Sequence, residues 1–211
     1  MTLASARALP VSFIFGALLP AIIGMWPTWY PRSNLLHQNI LAAWQPDPVW
    51  VSLIQSLLVF VLSSRAPNDR KAVWWAKVSY LLAAVSSASG HVYAIRSVAM
   101  SEDPAINFVG VYVPFLFAGP EAATDKLASG PWLFLQYDLI IISISCVSWA
   151  YLLTTRCLPN QSGIRGLLPI SFLLSSVVLG PGAVVSLALF WREGQLQSMR
   201  VEKSVAGKVV K

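Results

Sequence analysis

The sequence predicts an all-α fold: a polytopic transmembrane helix bundle of five to six spans, plus one short re-entrant or interfacial segment. Three observations carry this fold class. Of the 211 residues, 56% are hydrophobic and only 11% charged, whereas an average soluble domain is about 25% charged. The apolar residues fall into runs of the length needed to cross roughly 30 Å of hydrocarbon. The basic residues collect in short loops and after Trp191, where topology signals sit.

The first run covers residues 9–26. Arg7 precedes it as it would a secretory signal, but Met25, Trp26, Pro27 and Trp29 follow where small residues should mark a cleavage site, so it reads as a retained span. LLHQNILAAWQ, residues 35–45, suits a helix lying at the interface with Trp44 at headgroup level. The second span, 49–63, is short and begins beside Trp50, a candidate interfacial anchor. The third covers 75–98. VGVYVPFLFA, residues 109–118, is too short to cross, carries Pro114 and ends at Gly119-Pro120, which suits a re-entrant or interfacial piece. The fourth span is 131–153 and the fifth 167–191. Residues 1–191 thus form the bundle and 192–211 a basic polar tail.

Simple alternation puts Arg7, Arg65, Arg70, Lys71, Lys77, Arg156 and Arg165 on one side, which should be cytoplasmic. The tail agrees with that side if there are six spans and disagrees if there are five. A net charge of +6 distributed in this way is a topology signal and gives no reason to expect nucleic acid. Cys146 and Cys157 read as two free thiols.

Depth singles out the polar residues. Asp138, in FLQYDLIII, would cost roughly 2.5–3.5 kcal/mol at the centre of a span on insertion scales. Asp138 and His91 each lie about seven residues in from the same membrane surface, roughly 10 Å deep at 1.5 Å per residue. Gln55 reaches the same layer from a third helix, and Glu121 follows the short apolar segment that enters from that side. For Gln55 and His91 the bland alternative is an interhelical hydrogen bond. For Asp138 an intramembrane carboxyl is by default a functional-site hypothesis. No Lys or Arg shares its depth, so desolvation favours the neutral acid.

The aromatic residues Tyr93, Tyr112, Phe115, Phe117, Trp132, Phe134 and Tyr137 lie toward the same half. Most such rings serve packing or the interface belt, but ring faces lining a pocket stabilise a cation without a counter-ion. Acid and aromatic walls together describe a site that makes and steers carbocations. There is no HExxH, Cys-His cluster, glycine-rich phosphate loop or GxSxG, and Glu102-Asp103 is the only adjacent acidic pair. Metal-assisted ionisation of a diphosphate is therefore not expected, and neither a metal nor a cofactor is called for.

LLPAIIGMWP, HQNILAAWQPDPVWVSLIQ (37–55), VSYLLAAVSSASGHVYAI (78–95), YVPFLFAGP (112–120) and FLQYDLIIISISCVSWAY (134–151) together resemble the small integral-membrane terpene cyclases of fungal meroterpenoid and indole-diterpene pathways, in particular the ascofuranone-type family. WQPDPVWVSLIQ is the most specific block. The Trp-Glu motif of the pyripyropene-type group is absent.

The resemblance implies cyclisation of an (epoxy)prenyl chain without loss of diphosphate. Asp138 would protonate the epoxide, Tyr137 and Trp44 would stabilise cationic intermediates, and His91 or Glu121 would orient the donor or remove the last proton. Gln55, Gln45, Tyr93 and Tyr112 would bind substrate. The expected partners are a hydrophobic prenylated small molecule and the lipid bilayer, in the endoplasmic reticulum. Two other classes fit the same residues: a sterol-isomerase-like or lipid-binding membrane protein, and a small transporter or scaffold. A transporter should show matched broken helices, and the one visible interruption is Gly180-Pro181-Gly182.

Overall fold

The computed structural model describes residues 1–25, 33–62, 69–104, 106–114, 126–157 and 162–209. Among them every regular element is helical: α1 (Leu3–Phe13), a π-helical turn (Ile14–Leu18), α2 (Leu19–Met25), α3 (Asn34–Trp44), α4 (Asp47–Val61), α5 (Asp69–Ala99), α6 (Phe108–Tyr112), α7 (Lys126–Thr155), α8 (Ser162–Leu179) and α9 (Pro181–Val209). The chain divides into two compact units, residues 1–82 with 199–211, and residues 83–198.

In the first unit, α1 begins at Thr2, whose side chain accepts a hydrogen bond from the Ser5 N–H at 3.1 Å. That satisfies one of the donors a helix start leaves open. The buried residues of α1 are mostly small, Ala4, Ala6, Ala8 and Ser12 beside Leu3 and Pro10, and Gly16 in the π turn is buried as well. Small residues let α4 approach closely: a Cβ at Gly16 would come within 2.7 Å of the Val51 side chain and 2.8 Å of its Cα. Within the π turn the Leu19 N–H donates to the Ile14 carbonyl, one residue further back than in an α-helix. Pro20 follows directly and supplies no N–H of its own.

Gln55 of α4 is pinned in this interface. Its Oε1 accepts from the Ser12 hydroxyl at 2.8 Å, and its Nε2 donates to the Ser5 carbonyl at 2.9 Å. α3 starts at Ser33, whose side chain accepts from the Leu36 N–H. Its far end is tied to α4 by the Trp50 indole N–H, which donates to the Ala43 carbonyl at 3.0 Å.

In the second unit, α7 packs on α8 through Tyr151 and Phe172, whose rings meet edge-on at 6.4 Å. Ala150, one residue before Tyr151, is fully buried, and the Thr154 hydroxyl donates back to the Ala150 carbonyl.

Among the described residues, three helices are long and apolar enough to cross a membrane: Leu3–Gly24, Lys71–Ala99 and Trp132–Thr155. Asp47–Val61 and Gly166–Leu179 are shorter apolar helices. The expected count of five to six spans thus meets three full-length candidates and two short ones.

The fifth expected segment carries a break at the interruption its sequence shows. Residues 167–191 divide at Gly180 into α8 and α9. Gly180 has φ 87, the left-handed conformation that glycine adopts without a Cβ penalty. Its N–H donates to the Ser176 carbonyl, the bond of an αL helix cap, and Pro181 then opens α9, where a missing N–H costs nothing. α9 runs from there to Val209 and includes most of the basic polar tail.

Candidate functional site

α7 presents two different flanks within the second unit. Asp138 is half-buried, and its carboxyl makes no hydrogen bond among the described residues. At about 100° per residue, Phe134, Leu135, Ile141, Ile142, Ser145 and Trp149 share its face. Phe134 is 66% exposed and Trp149 52%, so this is an open apolar strip carrying one acid and two aromatic rings.

The other flank borders a cavity of about 450 Å³, lined by His91 of α5, Tyr112 of α6, Leu139, Ile140, Ser143 and Ile144 of α7, and residues of α8 and α9 that include Val177 and Pro181. The four α7 residues centre roughly 170° around the helix from Asp138. A molecule in the cavity therefore meets His91 and Tyr112 and does not meet Asp138.

Two prolines explain how the cavity walls are held. An α-helical carbonyl accepts from the N–H four residues on, and proline has none. Pro181 leaves the Val177 carbonyl without that donor, and the His91 Nε2 supplies it at 2.9 Å. Because the carbonyl can only accept, this bond assigns the hydrogen to Nε2. The imidazole lies against the helix break: a Cβ at Gly180 would stand 2.9 Å from the His91 Cβ and 3.0 Å from its Cγ.

Pro114 likewise leaves the Gly110 carbonyl of α6 without a helical donor. Trp132 Nε1 and Gln136 Nε2 supply it from α7, at 3.0 and 2.6 Å. Gln136 also donates to the Val111 carbonyl at 3.2 Å. These bonds dock the short helix that brings Tyr112 to the cavity.

His91 and Tyr112 meet at the cavity. Tyr137 is half-buried beside Asp138, and Tyr93 is exposed. Gln55 belongs to the first unit and spends its amide on Ser12 and Ser5. Trp44 is half-buried with its indole N–H lacking an acceptor among the described residues, and its neighbour Gln45 is exposed. Glu121, Phe115 and Phe117 lie outside the described residues.

Two residues join those the sequence singles out. Trp149 falls eleven residues after Asp138, a spacing that returns an α-helix to the same face. Gln136, two residues before Asp138 in the same motif, is 3% exposed. No group of three or more His, Cys, Asp or Glu side chains among the described residues could hold a metal ion.

Known proteins give an independent line. Terpene cyclase DEP1 of Fusarium langsethiae is 26% identical over 216 aligned residues, covering 90% of this chain and 58% of its own length. Terpene cyclase janA of Penicillium janthinellum is 26% identical, with 84% of this chain and 49% of that relative covered. Terpene cyclase alnG of Emericella nidulans is 27% identical, with 87% and 51% covered. The chain spans about half the length of the curated relatives it matches. No solved structure matches it. The CtvD domain family matches residues 1–196, and with these relatives aligned over most of its length the chain belongs to that family of fungal terpene cyclases.

Proposed function

We propose that this chain is a membrane-embedded terpene cyclase, resident in the endoplasmic reticulum, that cyclises an (epoxy)prenyl chain through carbocation intermediates started by a proton. The observation that carries the reading is the strip on α7: within a chain of cyclase family, a half-buried carboxyl without a hydrogen bond among the described residues stands between exposed Phe134 and Trp149. A carboxyl that is not engaged as an acceptor within the protein keeps its oxygens available to a substrate oxygen, as a proton donor requires.

In the proposed reaction Asp138 transfers its proton to the epoxide oxygen. The C–O bond breaks toward the more substituted carbon, leaving an alcohol and a tertiary cation. Successive alkene π-bonds attack the cation and form the ring carbon–carbon bonds. Loss of one proton ends the cascade, so substrate and product have the same mass, and the Asp138 carboxylate left by the first step is the base on the strip able to take it back. Phe134, Trp149 and Tyr137 offer ring faces to the intermediates. A prenyl tail can reach an exposed strip on a membrane helix from within the bilayer, where water that would quench the cation is scarce.

The test is expression in microsomes supplied with an epoxyfarnesyl-substituted phenol, with mass spectrometry for an isomer of unchanged mass. The parent chain should form it and Asp138→Asn should not. Normal turnover by Asp138→Asn would remove Asp138 from the mechanism and make Glu121→Gln the next variant. Absence of turnover by the parent on any epoxyprenyl substrate would count against the cyclase reading itself.

A further inference from the structure

The cavity beside the α8–α9 break holds a base that nothing in the described residues answers. His91 Nε2 carries the hydrogen that bonds the Val177 carbonyl, so the second ring nitrogen, Nδ1, has the lone pair and can accept. Nδ1 makes no hydrogen bond among the described residues and, unlike the buried Nδ1 of His37, keeps accessible surface. It lies on the wall of the cavity: a Cβ at Gly180 would stand 3.4 Å from it, and Pro181, the next residue, lines the cavity together with His91 itself.

The rest of the lining narrows what such a base could meet. Tyr112 and Ser143 also border the space, and their hydroxyls make no hydrogen bond among the described residues. Ser176, by contrast, spends its hydrogen on the Phe172 carbonyl. The other walls are aliphatic, with Ile140 of α7 and Leu173 of α8 among them. At about 450 Å³ the cavity falls within the range of about 300–1,000 Å³ typical of pockets for one small molecule. No carboxylate lines it, so a cationic head would find no partner. No lysine or arginine lines it either, and a phosphate or sulfate head would be desolvated without enough compensating charge. A carboxylic acid matches what is present: one oxygen gives its hydrogen to Nδ1, and the other accepts from a hydroxyl.

We propose that this cavity binds a long-chain carboxylic acid of the bilayer, a fatty acid, its carboxyl hydrogen-bonded to His91 Nδ1 and its chain among the aliphatic side chains of α7 and α8. The His91 bond to Val177 is kept when the acid binds, because the two contacts use different ring nitrogens. This site is separate from the Asp138 strip and does not rest on the cyclase reading.

The test uses the full chain in nanodiscs of zwitterionic lipid, with empty nanodiscs as the baseline for partitioning. Radiolabelled palmitic acid and methyl palmitate share one hydrocarbon chain, and only the acid has a hydrogen to donate. The parent should bind the acid about tenfold more tightly than the ester, the ratio that one charge-assisted hydrogen bond supplies. His91→Phe should bind both equally. Leu173→Trp, which fills the cavity without touching His91, should lose both. A second measurement needs no variant. The chain has two histidines, so nitrogen-15 labelling of histidine gives two resolvable rings. Saturating palmitic acid should move the His91 Nδ1 resonance upfield from the position of a bare acceptor, methyl palmitate should not, and His37, whose Nδ1 is buried, should stay in place under both.

Equal binding of acid and ester by the parent would overturn the proposal, as would a His91 resonance that palmitic acid leaves unmoved at saturation. So would a preference that survives His91→Phe, or undiminished binding in Leu173→Trp. The spectrum of the parent decides the matter even if His91→Phe fails to fold. Asp138→Asn should leave both readings unchanged; loss of the acid preference in that variant would place the acid on the other flank of α7 and refute the assignment to His91.

Discussion

His91 donates from Nε2 to the carbonyl of Val177 at 2.9 Å, closing the gap that Pro181 leaves in the hydrogen bonding of α8. The bond joins α5 to the end of α8 and holds one wall of the cavity. Replacing the ring with one of similar size and no donor should expose its worth. His91→Phe should lower stability in detergent by about 1–3 kcal/mol, the usual cost of leaving a poorly solvated carbonyl unpaired. His91→Gln, which retains a donor, should recover part of the loss. Chemical denaturation of the two variants beside the parent decides the matter; unchanged stability together with lost turnover would instead make His91 a reacting group.

Gly180 tests the same joint from the backbone side. At φ 87 an alanine is strained, and its Cβ would stand 2.9 Å from the His91 Cβ. Gly180→Ala should therefore cost about 1–3 kcal/mol and lower the thermal midpoint. Gly90 has open space around it and no left-handed φ, so Gly90→Ala, within α5, is the control and should leave stability equal or slightly raised. Equal midpoints for the parent and Gly180→Ala would contradict the described geometry.

What could be read from the sequence followed from composition and length. The all-α class, the helix near 35–45, the long apolar helices and the family resemblance all rest on patterns that extend over many residues. Individual side-chain roles were harder because depth along a helix is readable while direction around it depends on packing. Asp138 and His91 were placed at one depth, yet the cavity face of α7 points away from Asp138. The proline effects were readable in principle: Pro114 and Pro181 each name a carbonyl four residues earlier that needs a donor. The sequence does not say which distant side chain, Gln136 or His91, will provide it.

Gln55 illustrates the same limit and gives a prediction for the first unit. Its amide bridges the Ser12 hydroxyl and the Ser5 carbonyl. Interhelical hydrogen bonds in membranes average about 0.6 kcal/mol each, so Gln55→Leu should cost about 1 kcal/mol. Gly16→Ala should weaken the interface between α4 and the first helix more, because its Cβ would meet the Val51 backbone, which cannot rotate aside. Proteolysis of the N-terminal segment would report both changes. A Gln55→Leu variant of parental stability would show that the bridge contributes nothing measurable.

The Asp138 strip predicts opposite effects on activity and stability. A carboxyl in an apolar setting, without a hydrogen bond among the described residues, is unfavourable to the fold. Asp138→Leu should therefore raise the thermal midpoint by about 2–4 °C while abolishing turnover of an epoxyprenyl substrate. Asp138→Asn should reduce turnover at least about 100-fold, the lower end for loss of a general acid. Phe134→Leu and Trp149→Leu keep an apolar side chain but remove a ring face, worth about 0.5–2 kcal/mol to a desolvated cation; each should slow cyclisation about tenfold and increase prematurely quenched alcohols relative to the ring product. Those alcohols can be separated from the cyclic isomer by mass, since each carries one added water. Normal rates in both aromatic variants would show that the cation does not form along this face of α7, whatever the outcome at Asp138.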